Sequence, residues 1–137
     1  MLRHHRRRSV TRLRKTQGSC HCGRVKFEIE ADVDHVRVCD CSICSRRGAL
    51  IHRVAEESFN LLTPIEELTV YQWGSRTAKD YFCPNCGILP FRRPGALTDG
   101  ERAAGKAAFS GWAVNTSCID GLDLSVIARR RIHGSRL

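Results

Sequence analysis

The sequence predicts an all-β fold with short helices, held together by bound metal, and three observations carry that prediction. Apolar and polar residues alternate strictly in stretches such as Val25-Lys26-Phe27-Glu28-Ile29-Glu30, as a half-buried strand requires. No segment of useful length shows the 3.6-residue period of an amphipathic helix. Seven of the eight cysteines fall into three tight groups, around Cys20 and Cys22, Cys39, Cys41 and Cys44, and Cys83 and Cys86.

Taken along the chain, the first strand is Val25 to Glu30, and Val36-Arg37-Val38 leads into the second cysteine group. Ala49 to Val54 leaves that group, and Leu68 to Trp73 alternates again. Tyr81-Phe82 precedes the third cysteine group and Ile88 to Phe91 follows it, while Trp112 to Asn115 and Leu124 to Ile127 read as closing strands. Short helices are predicted at Ser42 to Arg47 and Glu56 to Leu61. The stretch Arg92 to Lys106, with glycines at 95, 100 and 105, reads as a long surface loop, a length often associated with function.

Cysteines one or three positions apart on a turn can aim their sulfurs at one point, as a tetrahedral zinc site requires. A disulfide framework would instead imply an oxidising compartment, and Met1 to Ser19 is basic and polar without the apolar run of an export signal. The expectation is therefore metal ligation in a reducing, cytoplasmic setting, with no membrane-spanning segment. Seven thiolates fill one four-sulfur site and leave three over, the ligand count of a zinc with an open position.

Cys83-x-x-Cys86-Gly87 is a zinc-knuckle pattern, with a glycine free to take positive φ after the second ligand, and Cys20-x-Cys22-Gly23 complements it. Pairing the two would tie the first strand to the second half of the chain. The middle group, Cys39-x-Cys41-x-x-Cys44, has no fourth cysteine nearby. Cys118 either closes that site or is a small buried apolar residue, and its surroundings favour the second.

The net charge of +9 is concentrated in one place. Met1 to Lys15 holds seven basic residues and no acidic one, which leaves +2 for the remaining 122 residues. Residues 1–17 are thus expected to form a disordered basic tail ahead of one zinc-binding domain, residues 18–137. Such a tail reads first as a solvated extension, with attraction to nucleic acid or a membrane surface and organelle targeting as the alternatives, whereas the nearly neutral body, without an aromatic stripe, argues against nucleic-acid binding by the fold.

The order Gly18-Ser19-Cys20-His21-Cys22-Gly23, Cys39-Asp40-Cys41-Ser42-Ile43-Cys44, Phe82-Cys83-Pro84-Asn85-Cys86-Gly87 and Val114-Asn115-Thr116-Ser117-Cys118-Ile119-Asp120-Gly121 resembles the glutathione-dependent formaldehyde-activating enzymes, a family that includes centromere protein V. The resemblance implies an Mss4-like β-tent and two zinc ions per chain. It places the structural zinc on Cys20, Cys22, Cys83 and Cys86 and the catalytic one on Cys39, Cys41 and Cys44. It also implies the substrates, glutathione and formaldehyde, joined as S-(hydroxymethyl)glutathione by a carbon–sulfur lyase.

Three thiolates overbalance the charge of zinc, so nearby cations are expected to keep the metal electrophilic. Arg46 and Arg47, just after Cys44, are the sequence candidates for this and for pairing with the glutathione carboxylates, with Lys79 and Asn115 as weaker ones. Around Ser42 to Gly48, Tyr71 to Trp73 and Ala78-Lys79 the chain is closer to the centromere protein V branch, in which a histidine is common after the lysine; here Asp80 stands there. The alternative function is a non-catalytic zinc module that binds a polyanion through Arg3 to Lys15 and Arg129-Arg130-Arg131.

Overall fold

The computed structural model describes residues 13–136, which form ten strands, two short helices and several 3-10 turns. The strands are β1 (Arg14–Ser19), β2 (Lys26–Ala31), β3 (His35–Cys39), β4 (Ile51–Val54), β5 (Phe59–Leu61), β6 (Thr69–Tyr71), β7 (Lys79–Phe82), β8 (Phe91–Arg93), β9 (Trp112–Asn115) and β10 (Ala128–Ile132). One sheet has the order β1-β2-β5, and the other β10-β3-β4-β9-β8-β7-β6. All pairs are antiparallel except β10 with β3, which brings the end of the chain alongside the middle cysteine group.

The sheets meet in an aromatic core. Phe27 of β2 is fully buried and packs edge-on against Phe91 of β8, with ring centroids 5.9 Å apart. Phe59 of β5 stacks on Trp112 of β9 at 4.7 Å. Burying a side chain of this size stabilises by roughly 1.5–3 kcal/mol, and paired rings add a smaller increment. Val25, Ile29, Val54, Leu68 and Val114 complete the core together with the sulfur-bearing Cys20 and Cys83. The four-cysteine group is therefore built into the core edge and not hung from the surface.

Several sequence expectations are corrected by backbone detail. Strand β1 begins at Arg14, so Arg14 to Gln17, read as the end of the basic tail, pair with β2 in the register Arg14↔Ala31 to Ser19↔Lys26. The tail expectation for residues 1–12 lies outside the described residues. Glu56 to Leu61 is not one helix: a 3-10 turn, Glu56–Ser58, gives way to β5, because Phe59 and Leu61 have Ile29 and Phe27 of β2 to pair with. Leu124 to Val126 forms a 3-10 turn capped by Asp123, whose carboxylate accepts from the Ser125 N–H, and the closing strand starts later, at Ala128. The loop at Arg92 to Lys106 contains the end of β8 and a helix, Asp99–Ala103. That helix starts with a capping box in which Thr98 and Glu101 satisfy each other's free amides.

The helix predicted at Ser42 to Arg47 is present with those bounds. Gly48 ends it at φ 64°, in the left-handed conformation that suits glycine, and donates its N–H to the Cys44 carbonyl. No helix of the described residues is long and apolar enough to cross a membrane.

Candidate metal centres

Cys20, Cys22, Cys83 and Cys86 converge from two turns far apart in sequence. Cys22 Sγ lies 3.6 Å from both Cys20 Sγ and Cys83 Sγ. A tetrahedron with metal–sulfur bonds of roughly 2.3 Å has edges of about 3.8 Å, so these sulfurs stand at the spacing a zinc ion requires. Each turn also aims amide donors at its sulfurs, from Val25 N–H to Cys20 at 3.3 Å and from Cys86 N–H to Cys83 at 3.5 Å. Gly23 and Gly87 complete the turns at φ 81° and 79°.

Cys39, Cys41 and Cys44 form the second group, with sulfurs within 4.8 Å of one another. Cys39 ends β3, and Cys41 caps the helix Ser42–Arg47, its sulfur accepting from the Cys44 N–H at 3.5 Å. The 3.6-residue turn between positions 41 and 44 returns the two side chains to one face, beside Cys39. The parallel β10 closes the site from the other side: Asp40 N–H donates to the Ile132 carbonyl at 3.1 Å and the Asp40 carboxylate accepts from the Ser135 N–H at 2.9 Å. Gly134 sits so close that a Cβ there would lie 2.5 Å from Cys39 Sγ.

The thiols do not titrate alike. Hydrogen bonds from the Asn85 side chain and the Arg24 amide lower Cys22 to about 6. Burial, reinforced by Cys41, raises Cys44 to about 12. On Cys41 burial acts upward, but the Cys44 amide and thiol outweigh it and the net direction is down. A bound cation would favour the thiolate on every sulfur, and in both groups the ligand atoms lie within 4.8 Å of one another. Both cysteine groups are thus fit to hold metal.

Cys118 does not belong to the three-sulfur group. It packs against the core near Cys20 and Cys86, and burial raises it to about 11. Asn115 caps the following 3-10 turn with its Oδ1 and donates from Nδ2 to the Leu89 carbonyl, an interior hydrogen-bonding role.

A cavity of about 600 Å³ opens beside the three sulfurs, walled by Ile43, Ile51, Trp73 and Ile132. Its cations are Arg37, Arg53 and Arg92, and its one acidic lining residue is Glu101. Arg46 and Arg47, the sequence candidates, are not among the lining residues. Arg46 donates to the Ser42 carbonyl at 2.7 Å and Arg47 to buried Asp80 at 3.0 Å, because the helix turns both away from its cysteine face. Lys79 is exposed and likewise lies outside the lining. Arg37 and Arg53 are held below the usual arginine range by burial, Cys39 pulling the other way on both. Sequence reasoning passed over this pair, although the period of two that places Arg37 on the Cys39 face of β3 was readable.

Asp34, His35 and His52 form a third potential ligand group, but Nδ1 of each imidazole is already engaged. His35 bonds Asp34 at 2.7 Å and His52 bonds the His35 carbonyl at 2.8 Å. Arg129, Arg130 and Arg131 are exposed along the edge strand β10.

The fold and these centres define a small all-β domain with two cysteine groups able to bind metal, one in the core edge and one at a cavity. The chain belongs to the family described as glutathione-dependent formaldehyde-activating enzyme, whose family model matches residues 15–107, about two thirds of its length. It is also similar to the crystal structure of a Rhodobacter sphaeroides protein from a structural genomics programme, with 30% identity and a TM-score of 0.66. That match covers 83% of this chain and 99% of the other.

Proposed function

We propose that the chain is a zinc-dependent carbon–sulfur lyase that forms or cleaves S-(hydroxymethyl)glutathione at the three-cysteine centre. The single observation that carries this reading is a group of three sulfurs with no fourth cysteine ligand among the described residues, opening on a cavity large enough for a small molecule. The four-cysteine group serves as the structural site. Cys39, Cys41 and Cys44 hold the second zinc, which when bound supplies Lewis acidity and favours the thiolate form of a thiol substrate at neutral pH.

In the synthetic direction a bond forms between the glutathione sulfur and the formaldehyde carbon, the carbonyl π bond opens, and the proton lost by the thiol ends on the oxygen. Cleavage is the reverse. The chain's own part is placement. Ile43, Ile51 and Trp73 shield one side of the reacting group from water. Asp80 is not a proton carrier in this scheme, because its oxygens are taken by Arg47 and Arg92. Arg46 and Arg47 support the helix that carries the cysteines.

The test is two-dimensional exchange NMR of glutathione and [13C]formaldehyde, which reads interconversion without net turnover. The zinc-loaded chain should accelerate exchange above the spontaneous rate, and Cys41→Ser should return it to that rate with the fold retained. Equal acceleration by wild type and Cys41→Ser would refute the reading.

A further inference from the structure

The cavity beside the three-cysteine centre carries two cations that, among the described residues, no side chain engages in a hydrogen bond or ion pair. In the antiparallel β3–β4 pair Arg37 stands opposite Ile51, and Arg53 lies two residues beyond Ile51, so both arginines project from one face of adjacent strands. Both line the cavity. Among the described residues neither side chain forms a hydrogen bond or an ion pair, the arginine pairings being made elsewhere. The Arg53 guanidinium lies 5.0 Å from the centroid of the Phe109 ring, a contact that orients the group without occupying its N–H donors.

Arg92, the third cation, differs because Asp80 engages it. Glu101, the acidic lining residue, accepts from the Thr98 N–H with one carboxylate oxygen at 2.9 Å, and no hydrogen bond to its other oxygen is found among the described residues. Two part-buried, like-charged guanidinium groups side by side are costly unless an anion lies between or against them, and their forked donors match a carboxylate.

We propose that Arg37, Arg53 and Glu101 form a recognition site for a thiol of amino-acid type. The two guanidinium groups take carboxylates, Glu101 takes an ammonium group, and the thiol reaches the three-cysteine centre. Glutathione at neutral pH carries two carboxylates and one ammonium group, the complement of these three side chains. The placement of the sulfur rests on the lyase reading above; the recognition of the charged ends does not.

The experiment uses S-methylglutathione, which keeps the charged groups and has no free thiol. Its binding to the zinc-loaded full chain is measured by titration calorimetry, in parallel with exchange assays using glutathione and the uncharged 2-mercaptoethanol. Arg37→Met and Arg53→Met keep the alkyl stems and should each weaken S-methylglutathione at least tenfold, with exchange of 2-mercaptoethanol changed less than threefold. Glu101→Gln should weaken S-methylglutathione but leave the affinity of its N-acetyl derivative unchanged. Arg53→Lys, the milder variant should Arg53→Met fail to fold, should show a partial loss because lysine lacks the fork.

Absence of S-methylglutathione binding to wild type, or equal affinity in the arginine variants, would overturn the proposal. So would an equal loss for 2-mercaptoethanol, which would make the arginines charge balance for the thiolates alone. If exchange is absent while the binding losses are found, the lyase reading falls and the recognition site stands.

Discussion

Arg92 donates from Nε to the buried carboxylate of Asp80 at 2.6 Å, and Arg92 is one of the three cations that line the cavity. Asp80 is 1% exposed and sits on β7 directly opposite Arg92 of β8. Its second oxygen accepts from Arg47 at 3.0 Å, so a single carboxylate links the cysteine helix to the sheet. The position after Lys79 therefore has a structural task in this chain.

Replacing Asp80 with Asn leaves two partly buried arginines facing a buried neutral group. Removing one partner of a buried ion pair costs about 3–5 kcal/mol. The expected result in urea denaturation is a loss at the lower end of that range, since both arginines are partly solvated. Arg47→Gln should cost less than Asp80→Asn. Equal stability of Asp80→Asn and wild type would show that the network contributes nothing.

The two cysteine groups should fail differently. Cys83 is buried in the core edge, and Cys83→Ser should abolish cooperative thermal unfolding if the four-cysteine centre holds the structural metal proposed above. Cys41→Ser, at a half-exposed helix cap, should leave a cooperative transition within a few degrees of wild type. Circular dichroism melts of the two variants check both statements, and chelation of all metal should reproduce the Cys83→Ser behaviour.

Gly134 supplies a third test. A methyl group at this position would press on Cys39 Sγ and on the Cys41 Cβ, 3.1 Å away. Gly134→Ala should therefore lower metal affinity at the three-cysteine centre at least tenfold, read by competition with a chromophoric chelator, while the four-cysteine centre keeps its ion. Unchanged affinity would mean that β10 yields without disturbing the sulfurs.

A pH dependence follows from His52, whose imidazole is pushed below its ordinary value of 6.5, chiefly by burial, against the opposing pull of its hydrogen bond to the His35 carbonyl. The unfolded chain takes up a proton near the ordinary value and the folded chain resists it, so stability contributed by neutral His52 is present above pH 6.5 and lost as pH falls through the folded value. The thermal midpoint should decline from pH 7.5 to 5.5 in wild type and decline less in His52→Gln. Parallel slopes would assign the decline to other groups.

Much of the cysteine grouping was legible because knuckles are local: Cys83-Pro84-Asn85-Cys86-Gly87 encodes its own turn, and two such turns with a three-cysteine group constrain how the sulfurs divide. The helix Ser42–Arg47 was legible for the same reason, being framed by its cap Cys41 and by Gly48. The residues around the cavity were not. Arg37, Arg53 and Glu101 meet through the β3–β4 register and a capped helix inside an apparent loop, and Gly134 arrives through the parallel pairing of β10 with β3. Adjacency to Cys44 made Arg46 and Arg47 attractive, yet a helix advances about 100° per residue and turns its neighbours away from the face that carries the sulfurs. Leu124 to Ile127 has strand composition but is taken into a 3-10 turn by the Asp123 cap, a short-range hydrogen bond that propensity does not weigh.

The most direct test is zinc per chain by native mass spectrometry, on protein expressed with added zinc and exchanged into a citrate-containing buffer that removes weakly held ions. The account predicts two zinc ions in wild type, one in Cys39→Ser, and loss of the folded charge-state distribution in Cys83→Ser. A single zinc in wild type, retained by Cys39→Ser and lost by Cys83→Ser, would contradict it and leave the three-cysteine centre without its metal.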